Sequence, residues 1–324
     1  MDATPPQDTA PRGALRHRLA EPCDQSPLSG LLARWVQADC VVETAPSPPS
    51  ACPPGLAGDV RFPNWLRGAL GDALMDGASA EARAGRPCPW RPPCALDVLW
   101  GETGTVRRGV PIPRPFVIRV DEPAPDNLRI TLSLFGFATD WMEDAAAALV
   151  RALRHGVGMG PDDARLPLEP GRRVIRTPGP PPLPTVRAAG ADEATLSVRI
   201  LTPLILRRKS TPVLDPLALL TSLSRRAEGF ARWHDMALMV DGEALARAAA
   251  ALTLEADGLA PPTTWSRTSA RQPGRRIPAS GVVGRLTLRG PGAALTAVAP
   301  LLALGGRVGA GGHAAQGQGR FEVL

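Results

Sequence analysis

The chain has 324 residues, enough for two domains that each bury a core. Hydrophobic residues make up 44% of it, which excludes a disordered chain, and no apolar run reaches the roughly 18 residues of a membrane span. A net charge of +6 and a pI near 9.8 favour a polyanionic partner.

Lys209 is the only lysine among 37 basic residues, so arginine carries the charge. Its planar fork binds phosphate and base edges through paired hydrogen bonds, although the same bias fits a GC-rich genome. The stretch Met1 to Asp8 has no basic or apolar signal character, and no secretory signal is expected. Five cysteines (Cys23, Cys40, Cys52, Cys88, Cys94) at irregular spacing are expected to stay reduced, in the cytoplasm. The 37 prolines and 33 glycines predict long loops between the elements.

Residues 1–30 are proline-rich and polar and are expected to be poorly ordered, with His17 in a solvated basic segment. Trp35 to Val42 reads as a strand. From Pro63 to Leu74, the residues Trp65, Leu66, Ala69, Leu70, Ala73 and Leu74 recur at helical spacing. Cys88-Pro89-Trp90-Arg91-Pro92-Pro93-Cys94 could supply two zinc ligands, but no second pair of suitable spacing follows, and a proline-rich loop with two buried thiols is expected instead, with no metal. Phe116 to Val120 and Leu128 to Leu134 alternate as strands. A helix follows, with Asp140 as its expected cap, Glu143 and Asp144 in its first turn, Arg151, Arg154 and His155 near its end, and Gly156 beyond it.

Prolines between residues 178 and 184 mark a linker, dividing a first domain over 31–185 from a second over 186–324. Thr195 to Leu201 reads as a strand, Arg207-Arg208-Lys209 as a basic turn, and Asp215-Pro216 opens a helix that carries Arg225, Arg226 and, at its end, His234. Thr264 to Arg276 holds Trp265 with Arg267, Arg271, Arg275 and Arg276, a mixture suited to tracking phosphates beside an aromatic face. The terminus, Gly305 to Leu324, passes from a helix through a glycine-rich loop to a final strand. Such a loop can bring backbone N–H groups against phosphate. A dinucleotide site is excluded by order, because that fingerprint needs its glycines after a strand and before a helix.

The pattern Leu128 to Leu132, helix, Gly156 to Gly160 recurs as Gly284 to Leu288, helix, Gly309 to Gly312. Two tandem ferredoxin-like α+β units with antiparallel sheets account for both copies. In Leu66 to Gly71, Cys94 to Trp100 with Arg114 to Ile118, Trp265 to Gln272 with Gly281 and Gly284, and Gly317 to Phe321, the chain resembles the CRISPR-associated precursor-crRNA processing endoribonucleases of the RAMP superfamily.

The resemblance implies two RAMP domains that bind CRISPR repeat RNA and cut it once per repeat, without a cofactor or metal. It also implies other CRISPR effector subunits as partners and no membrane. The ribose 2′-OH would attack the adjacent phosphate, which calls for a base, an acid and cations. Members often carry a catalytic histidine on the first helix; residues 55–75 have none, and the chain has no tyrosine. The remaining candidates are His313, His155, His234 and Lys209. His313 is favoured, in a glycine loop with Arg307, Gly309, Gly311, Gly312 and Gln316. Arg67, Arg225, Arg226, Trp265, Arg267, Arg271, Arg275 and Arg276 complete the expected RNA contacts. The alternative is a RAMP subunit that holds crRNA without cutting it. A nucleotide-binding metabolic enzyme is disfavoured by the order of the glycine loops.

Overall fold

The computed structural model describes residues 14–46, 55–124, 127–158, 165–190, 192–208, 211–268 and 276–324. Alternating apolar residues set the first antiparallel sheet. It is built from β1 (Gln37–Pro46), helix α1 (Phe62–Met75), β2 (Phe116–Ala124), β3 (Asn127–Phe135), helix α2 (Met142–His155) and β4 (Leu168–Arg176), with strand order β2-β3-β1-β4. Register runs from Gln37 opposite Phe135 to Thr44 opposite Leu128, and from Phe116 opposite Leu134 to Asp121 opposite Arg129. Helices α1 and α2 pack together against one face, burying Leu66, Leu70, Leu149 and Leu153. Each fully buried leucine contributes about 1.5–3 kcal/mol.

The second half repeats this plan with β5 (Ala194–Leu204), α3 (Pro216–Arg232), α4 (Gly242–Ala250), β6 (Thr253–Asp257), β7 (Thr263–Thr268), β8 (Arg276–Gly290), α5 (Gly292–Val308) and β9 (Phe321–Val323). Its sheet order is β9-β5-β8-β6. Strand β8 is shared: residues Arg285 to Arg289 pair β6, while Arg276 to Gly281 pair β7. With the additional α4 and β7 of the second half set aside, each half reads strand–helix–strand–strand–helix–strand, with the first and third of these strands central, which is the ferredoxin-like arrangement. The two repeated sequences, Leu128 to Leu132 and Gly284 to Leu288, both lie on the third strand of their unit.

Two local expectations change. Residues 14–30 are folded rather than loose: Ala14–Ala20 is a helix, Leu19 is fully buried, and Asp24–Ser26 pairs in parallel with Met236–Leu238. Arg18 clasps Asp235 through both guanidinium arms. Residues 1–13 lie outside the described residues. Asp140 does not cap α2, because a 3-10 turn over Gly136–Trp141 runs straight into the helix and leaves Trp141 at the cap position. Asp215 does cap α3, accepting from the Ala218 N–H at 2.8 Å.

An aromatic cluster joins the halves. Trp35 and Phe135 meet Phe230 of α3, and Trp35 stacks on His234 at 4.7 Å between centroids. Phe137 N–H donates to Trp233 O, and Trp233 Nε1 donates to Pro113 O. Arg107 forks onto the buried Glu228 carboxylate with both bonds at 2.8 Å.

His234 is a structural member of this cluster. Its Nδ1–H donates to Phe230 O at 2.9 Å, and its Nε2 accepts from the Val36 N–H at 3.1 Å, which fixes a neutral ring. Burial, outweighing the hydrogen bonds, lowers its pKa below the ordinary histidine value. Its contribution is thus fully present above the unfolded pKa of about 6.5 and lost as pH falls, because the unfolded ring takes up a proton that the folded ring resists. Denaturant midpoints should drop between about pH 7.5 and 5.5, and His234→Phe should remove this component. An unchanged slope in the variant would refute the assignment.

Candidate functional site

The C-terminal loop leaves α5 at Gly309 and threads between the two halves. Ala310 N–H donates to Gly319 O at 2.9 Å, Gly319 N–H to Pro203 O at 3.0 Å, and Gly312 N–H to Ile205 O at 2.8 Å. Gly311 N–H donates to Ser222 Oγ at 2.8 Å, and Gly309 N–H to Gly305 O at 2.7 Å. The glycine N–H groups expected to cradle phosphate are thus bonded to the protein itself, and the glycines serve to shape the loop. Two positions require glycine outright. Gly319 has φ +65° and a Cβ there would lie 1.8 Å from Ala310 O; Gly311 has φ +75° and a Cβ would lie 2.4 Å from Ile205 O.

Folding the loop this way anchors it to α1 as well. Gln318 Nε2 donates to Val60 O at 2.5 Å, and Gly317 sits against Pro63. Arg320 reaches the first sheet, bonding Asp121 at 2.7 Å.

His313 stands at the turn of the loop with φ +61°. Its Nδ1 lies 2.6 Å from Gln316 Oε1. A carbonyl oxygen accepts, so Nδ1 carries the proton and Nε2 is the basic ring nitrogen. The Trp265 ring is edge-on at 6.5 Å. His313, Gly311 and Gly312 border a cleft of about 740 Å³ whose other walls include Arg207, Arg208, Arg225 and Arg226. Arg208 is paired with Asp215 at 2.6 Å. Arg226 donates to Val308 O and packs over Phe230, and desolvation lowers its pKa to about 10, so it is a charged part of the cleft floor. Arg207 and Arg225 are exposed there, with no carboxylate partner among the described residues.

The structure therefore brings together His313, Gln316, Trp265, Arg225, Arg226, Gly311 and Gly312. His155 is exposed at the end of α2 and lines no part of this cleft. Arg67 is on α1, its guanidinium 5.5 Å from the Trp100 ring. Arg307 points to Gly179 O at 3.4 Å, while its own carbonyl accepts from Arg119. Arg267 and Arg276 fall on the paired strands β7 and β8; Lys209, Arg271 and Arg275 lie outside the described residues. Cys88 and Cys94 are free thiols, and no group of three or more metal-ligating side chains occurs among the described residues.

A second basic surface escaped the sequence reading. On the open face of the first sheet, Arg119, Arg129, Arg172, Arg176 and Arg320 surround a groove of about 510 Å³, against Glu43 and Asp121 as its lining carboxylates. Burial, then the neighbouring Arg320 and Arg307, pushes the Arg119 pKa down to about 10. The signal was present as Arg172, Val174 and Arg176 at strand spacing on β4, but their cross-strand arginine neighbours depend on register.

Tandem ferredoxin-like units closed by a glycine-rich C-terminal loop are the arrangement that the resemblance to RAMP proteins implies. The family model for the CRISPR-associated endoribonuclease Cas6 matches residues 198–321, and the AF_1859_N model, an N-terminal domain, matches residues 62–173. Over residues 198–321 the chain is thus similar to the Cas6 family of CRISPR-associated endoribonucleases. Among solved structures, the Cas6 (TTHB231) product complex aligns with a TM-score of 0.53 at 18% identity, covering 89% of this chain and 99% of that one. Thermus thermophilus Cas6 (TTHB231) aligns at 0.49 and 16% identity, covering 90% and 99%. The first of these supports the shared fold. No curated protein matches the sequence. Among the described residues, no helix is long and apolar enough to cross a membrane.

Because Gly319 meets backbone, Gly319→Ala should cost about 2–4 kcal/mol, whereas Gly312→Ala should be nearly neutral. The latter has an ordinary φ, and its added Cβ would meet nothing nearer than 3.7 Å. Chemical denaturation of both variants checks this; equal losses would mean that the loop is not closed as described.

Proposed function

We propose that the protein binds the repeat RNA of a CRISPR transcript along its arginine-lined clefts and cuts it by metal-independent attack of a ribose 2′-OH on the adjacent phosphate. The observation that carries this reading is His313, its tautomer set by Gln316, at the edge of a cleft that presents Arg207 and Arg225. Solved relatives include a Cas6 product complex and a Cas6 substrate mimic complex, in keeping with RNA as the ligand. A Cas6-RT-Cas1–Cas2 complex is also known, in keeping with other CRISPR proteins as partners.

In this reading Nε2 of His313 takes the 2′-OH proton as O2′ bonds to phosphorus. The P–O5′ bond breaks, O5′ takes up a proton, and the products carry a 2′,3′-cyclic phosphate and a 5′-OH. Arginine guanidinium groups stabilise the charge that gathers on the phosphorane oxygens. Trp265 offers an aromatic ring near His313, on whose face a base can stack.

A second reading, in which the protein holds crRNA without cutting it, is favoured by one observation: α1 (Phe62–Met75), where the resembling family often places its histidine, carries none.

His313→Ala should lower single-turnover cleavage by about 10²–10⁴-fold with the dissociation constant for repeat RNA changed less than about threefold. Gln316→Leu should lower the rate by about tenfold through loss of the tautomer restraint, again without weakening binding. Cleavage at the wild-type rate by His313→Ala would reject this base. Tight binding by the wild type with no cleavage would favour the second reading.

A further inference from the structure

The loop Cys88 to Cys94 lines neither RNA cleft, and the proposed reaction does not use its thiols. Its two ends meet, because Cys94 N–H donates to Cys88 Sγ at 3.3 Å. The surroundings hold this arrangement. Cys88 N–H donates to the buried Asp97 carboxylate at 3.1 Å, and Trp141 Nε1 pins Pro93 O at 2.7 Å. Cys88 is half-buried and Cys94 buried, so one sulfur is reachable from solvent and the other waits behind it.

We propose that Cys88 and Cys94 form a reversible dithiol–disulfide site, oxidised by a small-molecule disulfide such as glutathione disulfide. Cys88 thiolate attacks one sulfur of the oxidant, forming a mixed disulfide and expelling one glutathione thiolate. Cys94, deprotonated as it reacts, attacks Cys88 Sγ, closes the protein disulfide and expels the second. Two electrons and two protons leave the protein, and the oxidant is reduced to two thiols.

The division of roles follows from the environments. Burial acts to raise the Cys88 pKa, but hydrogen bonds from the Ser79 hydroxyl, from the Cys94 and Trp90 N–H groups and from the Cys94 thiol outweigh it and bring it below the ordinary thiol value. Burial dominates at Cys94 and raises its pKa, which suits a resolving rather than an attacking thiol. Cys40 is fully buried with its pKa raised to about 11, chiefly by desolvation, and provides an inert internal comparison.

The site also has a structural address. Directly after Cys94 runs the helix Ala95–Trp100, whose last residue packs its indole on Gly71 of α1 and stacks on Phe116 at 4.7 Å between centroids. A closed disulfide ties the loop at the foot of the helix that braces α1.

The test treats the full-length protein with glutathione disulfide, quenches by alkylation, and maps tryptic peptides. Arg86 and Arg91 each precede proline and resist trypsin, so both thiols fall in one peptide, residues 84–107. In the wild type this peptide should become lighter by two hydrogens and recover with excess reduced glutathione. Cys94→Ser should instead keep a stable glutathione adduct on Cys88, and Cys88→Ser should react at Cys94 at least about tenfold more slowly. A persistent glutathione adduct on wild-type Cys88 without ring closure would overturn the proposal, as would reaction confined to the exposed Cys23.

Discussion

The closure of the C-terminal loop on strand β5 and helix α1 is the constraint on which the rest of the site depends. Backbone approaches backbone at Gly319 and Ala310, and at Gly311 and Ile205, so closely that no side chain fits between them. That contact decides where His313 stands, lets Gln318 reach Val60 O, and carries Arg320 across to Asp121. A loop held by so many bonds to its own protein has few donors left for a ligand. Its contribution is to place one imidazole and one amide rigidly at the mouth of a basic cleft.

Two copies of one topology are put to different uses. In the first, the helices cover one face of the sheet and the open face carries arginines from three strands, partly balanced by Glu43 and Asp121. In the second, basic residues gather instead midway along α3 and in the turn after β5, next to the terminal loop. The aromatic cluster of Trp35, Phe135, Phe230 and His234, with the Arg107–Glu228 fork, joins the copies, so the two basic surfaces belong to one body. In the proposed reading, phosphate recognition by arginine over such a span would give strongly salt-dependent affinity, with the chemistry confined to one place.

The duplicated ferredoxin-like plan was legible in the sequence because it rests on local signals. Alternation marks β3 and β8, and helical spacing marks α1 and α3, with Asp215-Pro216 opening α3. Residues 14–30 were misread because a seven-residue helix and a three-residue parallel strand are fixed by what they dock on, namely Asp235 and Met236–Leu238, far along the chain. The grouping of His313 with Gln316 was visible from their spacing of three. That the glycine N–H groups are occupied was not, since their acceptors Ile205, Ser222 and Pro203 come from β5, the turn after it and α3. Arg226 read as a surface cation for the same reason: its burial over Phe230 and against Val308 is a tertiary fact.

The most direct test of the central claim uses wild-type protein, a CRISPR repeat RNA and excess EDTA, with a matched RNA carrying a single 2′-deoxy substitution at the cut site. Attack by the 2′-OH predicts one cut per repeat in EDTA, a 2′,3′-cyclic phosphate on the upstream fragment, and no cut in the deoxy RNA although it still binds. Cleavage of the deoxy RNA at the same position, or cleavage that requires an added divalent cation, would contradict attack by the neighbouring 2′-OH.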